Sequence, residues 1–339
     1  MPGPNLPSPT QSKRHPVSED PSMRRLLTLF ALLFSCTLHA ASGSVLQRPI
    51  DLDTGSGTLH GSLLLPRAEH PVPVVLIISG SGPTDRDGNN PEGGRNDSLR
   101  KLALMLARHD IASVRYDKRG VASGRPLAPD ERTLSVEGYV ADAVAWARKL
   151  QADPRFGPLI LLGHSEGALI ATLAAPEVDA AAVISVAGGG RPVDQVLAEQ
   201  LRERLPAPLQ PRSLALIAHL KAGQQDPDVP DALQVVFRPS VQPYLISLFR
   251  QHPAKAFGAL RMPALIVQGR TDIQVNVSDA EALKAAKPDA ELALIDGMNH
   301  VMRIVPPDLK QQMASYDNPR LPLANELERR IVAFINANT

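Results

Sequence analysis

Gly163-His164-Ser165-Glu166-Gly167 interrupts an otherwise apolar stretch, "PLILLGHSEGALIATLAA", running from Pro158 to Ala175. Pro158 to Leu162 is a short apolar run behind a turn residue, which predicts a buried strand. Ala168 to Ala175 is rich in Ala and Leu, which predicts a buried helix. Five residues are left to turn the corner. The glycines two before and two after the serine remove the Cβ atoms that would collide where strand and helix meet so sharply. Ser165 is then held at the tip, Oγ exposed, above a helix N-terminus, in the G-x-S-x-G nucleophile-elbow pattern. The chemistry this suits is attack of a serine oxygen on an acyl carbon. A plain Gly-Ser turn in an ordinary α/β domain is the competing reading, and the strand–turn–helix context weighs against it.

A serine hydroxyl at neutral pH is a poor nucleophile, so it needs a base and a group to orient that base. Where an elbow serine is served this way the chain order is Ser, acid, His. Asp272 ends "LIVQGRTD" at the tip of a predicted buried strand and His300 ends "ALIDGMNH" one strand later, with Ser165 and His300 expected at exposed strand ends. An Asp there is ordinarily a helix cap and a His ordinarily part of a loop. Found in order at successive strand ends, they are the expected acid and base. Asp296, four residues before His300, is the rival acid and reads as structural. His219 and His252 fall on helical segments, and His164 is placed to shape the elbow rather than accept its proton. An oxyanion needs backbone N–H donors. Glu166 supplies one from the helix N-terminus, aided by the dipole. Ser81, in the Gly-rich loop Ser79–Gly88 after "VVLIIS", is the expected second.

These residues need a frame. "RPIDLDTGSGTLHGSLLLP" (Arg48–Pro66) predicts a hairpin, and "VPVVLIISG" (Val72–Gly80) a buried strand. A polar-capped helix follows over Asp97–Asp110, then a strand over Ile111–Gly120 and a helix over Ser135–Leu150. After the elbow come a strand in "AAVISVAGG", then strands in "PALIVQGRTD" and "ELALIDGMNH", and a closing amphipathic helix at Ala324–Ala337. Alternating strands and helices predict an α/β protein with a mostly parallel, doubly wound sheet covered on both faces. Residues 190–261 break the rhythm with helical pieces and proline-rich joints, predicting a helical cap between core segments 43–189 and 262–339. Ligands bind at the carboxyl ends of such strands, where the candidate residues lie.

The chain has 339 residues, 43% hydrophobic and 21% charged, enough for a sizeable core. A net charge of +1 without a dominant basic stretch argues against nucleic acid as a partner. Residues 1–22 are polar and proline-rich and are expected to be disordered. Residues 23–42 then show Arg24-Arg25, the apolar Leu26–Leu38 and the small Ala40-Ala41-Ser42, the pattern of a signal peptide. The apolar core is shorter than the roughly 20 residues a membrane span requires. The expectation is therefore export to the periplasm or medium, with Met23 a plausible alternative start. Cys36, the only cysteine, falls inside that segment, so the mature chain would carry no disulfide. Leu33-Phe34-Ser35-Cys36 resembles a lipoprotein box, which makes a lipid anchor at Cys36 the alternative.

"SGSGPTDRDGN", "RYDKRG", "GHSEG", "GRTD" and "GMNH", in this order from about Val45 onward, resemble bacterial α/β-hydrolases of the EstD esterase type, related to the serine aminopeptidase-like (S33-type) hydrolases. The resemblance is least in the cap. Relatives commonly carry His-Gly at Ser79-Gly80, and many read R-G-x-G-x-S where this chain has Arg119-Gly120-Val121-Ala122-Ser123-Gly124, which puts the shape of that loop in question. The resemblance implies a carboxylic ester hydrolase acting on small-molecule esters of short to medium acyl chains through an acyl-enzyme, without cofactor or metal. A peptidase or aminopeptidase, a thioesterase or acyltransferase, and a degenerate hydrolase serving as a binding module are the competing expectations. The sequence carries no signal for an oligomeric state.

Overall fold

The computed structural model describes residues 45–339 together with the isolated Gly3. The expected N-terminal extension, signal segment and Cys36 lie outside the described residues. One eight-stranded sheet organises the rest. Its strands are β1 (Leu46–Asp53), β2 (Thr58–Leu65), β3 (Val72–Ile78), β4 (Ala112–Tyr116), β5 (Phe156–His164), β6 (Ala182–Val186), β7 (Ala264–Gly269) and β8 (Glu291–Ile295). They lie in the order β1-β2-β4-β3-β5-β6-β7-β8. The β1–β2 hairpin and its junction with β4 are antiparallel; every other pairing is parallel. This is the α/β-hydrolase fold, as the alternation of strand and helix patterns predicts.

Strand periodicity sorts the core into two layers. On β3, Val74, Leu76 and Ile78 face a cluster with α2 (Val136–Gln151), α3 (Glu166–Ala174) and α9 (Val277–Ala286). Val75 and Ile77 face the opposite cluster, with α1 (Ser98–Ala107) and the C-terminal α11 (Asn325–Ala337). The near-continuous apolar character of β3 and β5 follows from this two-sided burial. Helix α2 starts on Ser135, whose hydroxyl accepts from Gly138 N at 3.0 Å. The expected polar cap of α1 is not formed that way. Asp97 takes φ +52° and makes no capping bond, because its carboxylate is held by Asn89 at 2.8 Å instead.

Strand order changes direction at β3: β4 lies on one side, and the chain then returns to β5 on the other. The loops after β3 and β5 therefore adjoin, as at the ligand crevice of open α/β sheets. Between β6 and β7 the described chain forms helices and turns without a strand. These are α4 (Val193–Arg204), α5 (Gln210–Lys221), α6 (Gln234–Phe237), α7 (Gln242–Phe249) and α8 (Pro253–Gly258). They enclose their own core around Leu216, Leu220, Leu233, Phe237 and Phe249. Beyond β8 lies α10 (Leu309–Tyr316), which the sequence patterns did not indicate. No helix among the described residues is long and apolar enough to cross a membrane.

The loop after β4 keeps a glycine-like shape without the glycine. Ala122 takes φ +43°, a conformation costing an L-residue about 1–2 kcal/mol. The Asp117 carboxylate holds the turn, accepting from Ser123 Oγ at 2.6 Å and Arg86 Nη2 at 2.8 Å.

Candidate active site

The elbow is enforced by close backbone approach. A Cβ on Gly163 would lie 2.0 Å from Gly167 O, and one on Gly167 would lie 2.2 Å from Ile78 O. Neither contact can be relieved by a side-chain movement. Ser165 takes φ +55°, in the half of backbone space that L-residues avoid, and is fixed by its N–H bonded to Val186 O at 2.9 Å. Among the described residues its Oγ makes no hydrogen bond. It lines two adjoining cavities, which leaves the oxygen open to a ligand.

Asp272 and His300 come together in the turns beyond β7 and β8. His300 Nδ1 lies 2.8 Å from Asp272 Oδ2, and the Asp272 side chain is wholly buried. Asp272 Oδ1 accepts from the Gln274 and Val275 N–H groups at 2.8 and 3.0 Å, and Oδ2 also accepts from Gln268 Nε2 at 3.2 Å. Burial raises its pKa. The charge and hydrogen bond of His300 and the N–H groups of Val275 and Gln274 outweigh that, holding the carboxyl below the usual range. The expectation of an exposed His300 is corrected: its side chain is only 6% exposed. Val301 and Tyr316 of α10 crowd the cavity it lines, and its backbone carbonyl accepts from His164 Nε2 at 2.8 Å. His300 and Ser165 line the same cavity.

The rivals lie elsewhere. Asp296 is 92% exposed and pairs with Arg270 at 2.9 Å. His219 pairs with Asp226 at 2.9 Å on α5, and His252 precedes α8. His164 is buried with its ring centroid 4.8 Å from that of His300. Burial first, and then the His300 charge, push its imidazole down to about 4. Its Nε2 must carry the proton it donates to a carbonyl, so His164 supports the His300 backbone.

Ser81 and Glu166 both border Ser165. Glu166 opens α3, so its N–H has no partner within the helix. The Ser81 N–H, in the loop after β3, likewise has no backbone partner among the described residues. Gly80 brings that loop close, since a Cβ on it would lie 3.2 Å from Ser165 Cβ. The cavity on one side of Ser165 is about 190 Å³ and has an aliphatic wall of Leu169, Val193, Val196, Leu248, Pro253 and Val275. The other, about 130 Å³, is lined by His300 and by polar residues including Asn96, Ser98, Gln274 and Tyr316. Gln274 Nε2 donates to Tyr316 Oη at 3.0 Å, leaving the tyrosine proton free to be donated. Gln274 and Tyr316 had no signature in the sequence, and Lys118, which faces Glu166, lies within "RYDKRG" without a role being indicated there.

Residues 94–303 match the family model described as serine aminopeptidase, S33. Esterase EstD of Thermotoga maritima is 29% identical over 251 residues, which cover 72% of this chain and 58% of that protein; the match thus spans little more than half of the relative's length. Est1E from Butyrivibrio proteoclasticus superposes with a TM-score of 0.55 at 16% identity, over 85% of this chain and 99% of that one. The α/β hydrolase GrgF from Penicillium sp. sh18 does so with a TM-score of 0.55 at 19% identity, over 86% and 99%.

Proposed function

The chain belongs to the serine aminopeptidase S33 family, and on that premise we propose that it is a serine hydrolase of carboxylic esters. The observation that carries this reading is the buried Asp272–His300 hydrogen bond opening onto the cavity of an unbonded elbow serine. Asp272, ionised, keeps the His300 proton on Nδ1 and leaves Nε2 to take the proton of Ser165 Oγ. The oxygen attacks the acyl carbon, and the oxyanion is met by the N–H groups of Ser81 and Glu166. His300 returns the proton to the departing alkoxide, and water then releases the acyl group by the same steps.

The leaving group must sit beside the acid that protonates it. That places the alcohol in the polar cavity with His300 and the acyl chain in the aliphatic one. A cavity of about 190 Å³ with an aliphatic wall supports a short to medium acyl chain. The helical segment 190–261 acts as the cap that bounds it. Support for an ester over an aminoacyl substrate comes from the carboxylates beside the site. Glu166 is paired with Lys118, and Asp279 with Arg191 and the N–H groups of Gly190 and Arg191, so neither is free to hold an α-amine. In the same reading the chain is exported and cleaved near Ala41; mass spectrometry of the N-terminus of periplasmic or secreted material tests this, and an intact cytoplasmic chain refutes it.

A fluorophosphonate probe should label wild type and not Ser165→Ala, and a panel of esters, aminoacyl amides and acyl thioesters should be cleaved in favour of esters. Turnover of an amide with higher kcat/KM than any ester overturns the assignment.

A further inference from the structure

Beneath Ser165 lies a charged group that the hydrolytic steps do not use. The Lys118 side chain, just past β4, is only 1% exposed, and the Glu166 carboxylate it faces is 9% exposed, with Nζ 3.5 Å from Glu166 Oε1. Lys118 Nζ also donates to the backbone carbonyl of Gly80 and lies 5.0 Å from the centre of the Tyr139 ring. Removing an ammonium from water is costly, and a pair of this kind is weak evidence for stability, since apolar residues often replace one without loss. Its placement is therefore more informative than its energy.

Ser81 and Glu166 are the two residues that border Ser165 with free N–H groups, and Lys118 holds Glu166 itself and Gly80, the residue before Ser81. Among the described residues there is no cis peptide, so the Gly80 carbonyl and the Ser81 N–H point in opposite directions from one plane. Holding the carbonyl on Lys118 turns the Ser81 N–H away from the protein interior. A charged donor on the carbonyl also polarises the peptide and strengthens its N–H as a donor. The second tie, to the Glu166 carboxylate, secures the residue whose N–H begins α3. We propose that Lys118 is a positioning residue that aligns the oxyanion donors of Ser81 and Glu166 by gripping the Gly80 carbonyl and the Glu166 side chain at once. This rests on Ser165 acting as the nucleophile.

The test compares Lys118→Met and the charge-balanced Lys118→Met/Glu166→Gln with wild type, the double variant avoiding a buried unpaired carboxylate. Loss of an oxyanion donor costs about 10²–10³ in kcat, so misalignment should lower kcat about 10²-fold with KM nearly unchanged. Affinity for an alkyl boronic acid, whose serine adduct carries an anionic oxygen, should fall in parallel. Affinity for the carboxylic acid product and the melting temperature of the double variant should not. A folded double variant with wild-type kcat overturns the proposal. So does a parallel loss of kcat, product affinity and melting temperature, which would make Lys118 a structural residue only. If wild type is not labelled by fluorophosphonate, the nucleophile assignment has failed instead; a labelled wild type with a fully active double variant refutes the role of Lys118 alone.

Discussion

Asp272→Asn changes one oxygen to an amide nitrogen in a pocket where every neighbour is a donor. If the Asn oxygen stays on the Gln274 and Val275 N–H groups, its NH₂ faces His300 Nδ1 and Gln268 Nε2. If it flips, the NH₂ faces two backbone N–H groups that cannot move. The first arrangement is the less costly, losing one contact to a side chain rather than two to the backbone. It obliges the imidazole to shift its proton from Nδ1 to Nε2, the nitrogen that must accept from Ser165. The expected loss in kcat is about 10⁴, equivalent to roughly 5 kcal/mol at 1.36 kcal/mol per decade. The donor–donor contact at Gln268 should lower folding stability by about 1–3 kcal/mol. Steady-state kcat on a soluble short-chain ester and urea melts measure the two effects. Asp296→Asn is the comparator: it breaks an exposed pair worth about 0–1 kcal/mol and should leave kcat within about tenfold of wild type. A crippled Asp296→Asn beside a near-normal Asp272→Asn would refute this account of the acid.

Two further outcomes are expected. Across esters of increasing acyl length, kcat/KM should fall once the chain outgrows the aliphatic cavity, and Val196→Trp should move the optimum to shorter chains; an unchanged length profile in that variant means the acyl group lies elsewhere. His164 titrates at about 4 in the folded chain against 6.5 when unperturbed. Between those values the unfolded chain binds the additional proton, so the stability His164 contributes is complete above 6.5 and declines as pH falls toward 4. The decline is on the order of 3 kcal/mol, and urea melts across this window should show a flatter dependence for His164→Gln. Parallel curves for the two proteins would mean that another group controls the acid limb.

The fold and the site were unequally legible in the sequence. Apolar runs alternating with helix patterns were sufficient for the sheet, because each strand of the parallel core is buried on both faces and writes that burial locally. The elbow was legible for a similar reason: Gly163 and Gly167 answer contacts made within a few residues or with the neighbouring strand. Asp272 and His300 were nominated by position alone, and the structure places them in turns a few residues past the strands. What stayed hidden depends on contacts between distant parts of the chain. The Gln274–Tyr316 bond joins the turn after β7 to α10, and the Lys118 grip joins the loops after β3 and β4 to the start of α3. Helix α10 had no strong periodicity to announce it, so the cavity that Tyr316 and His300 line together was not foreseen.

The helices between β6 and β7 leave and rejoin the sheet at neighbouring points. Asp279 on α9 binds the N–H groups of Gly190 and Arg191 at one end, and Gly258 packs against Ala286 of the same helix at the other. The segment also packs around an apolar centre of its own. The segment is not walled off by that centre: Leu248 and Phe257 join the main core of the sheet. Substitutions around Phe237 or Leu216 and substitutions at the elbow share few neighbours, so their effects on stability should add. On the proposed reading, the wall that meets the acyl chain could then change there while the serine and its partners stay as they are.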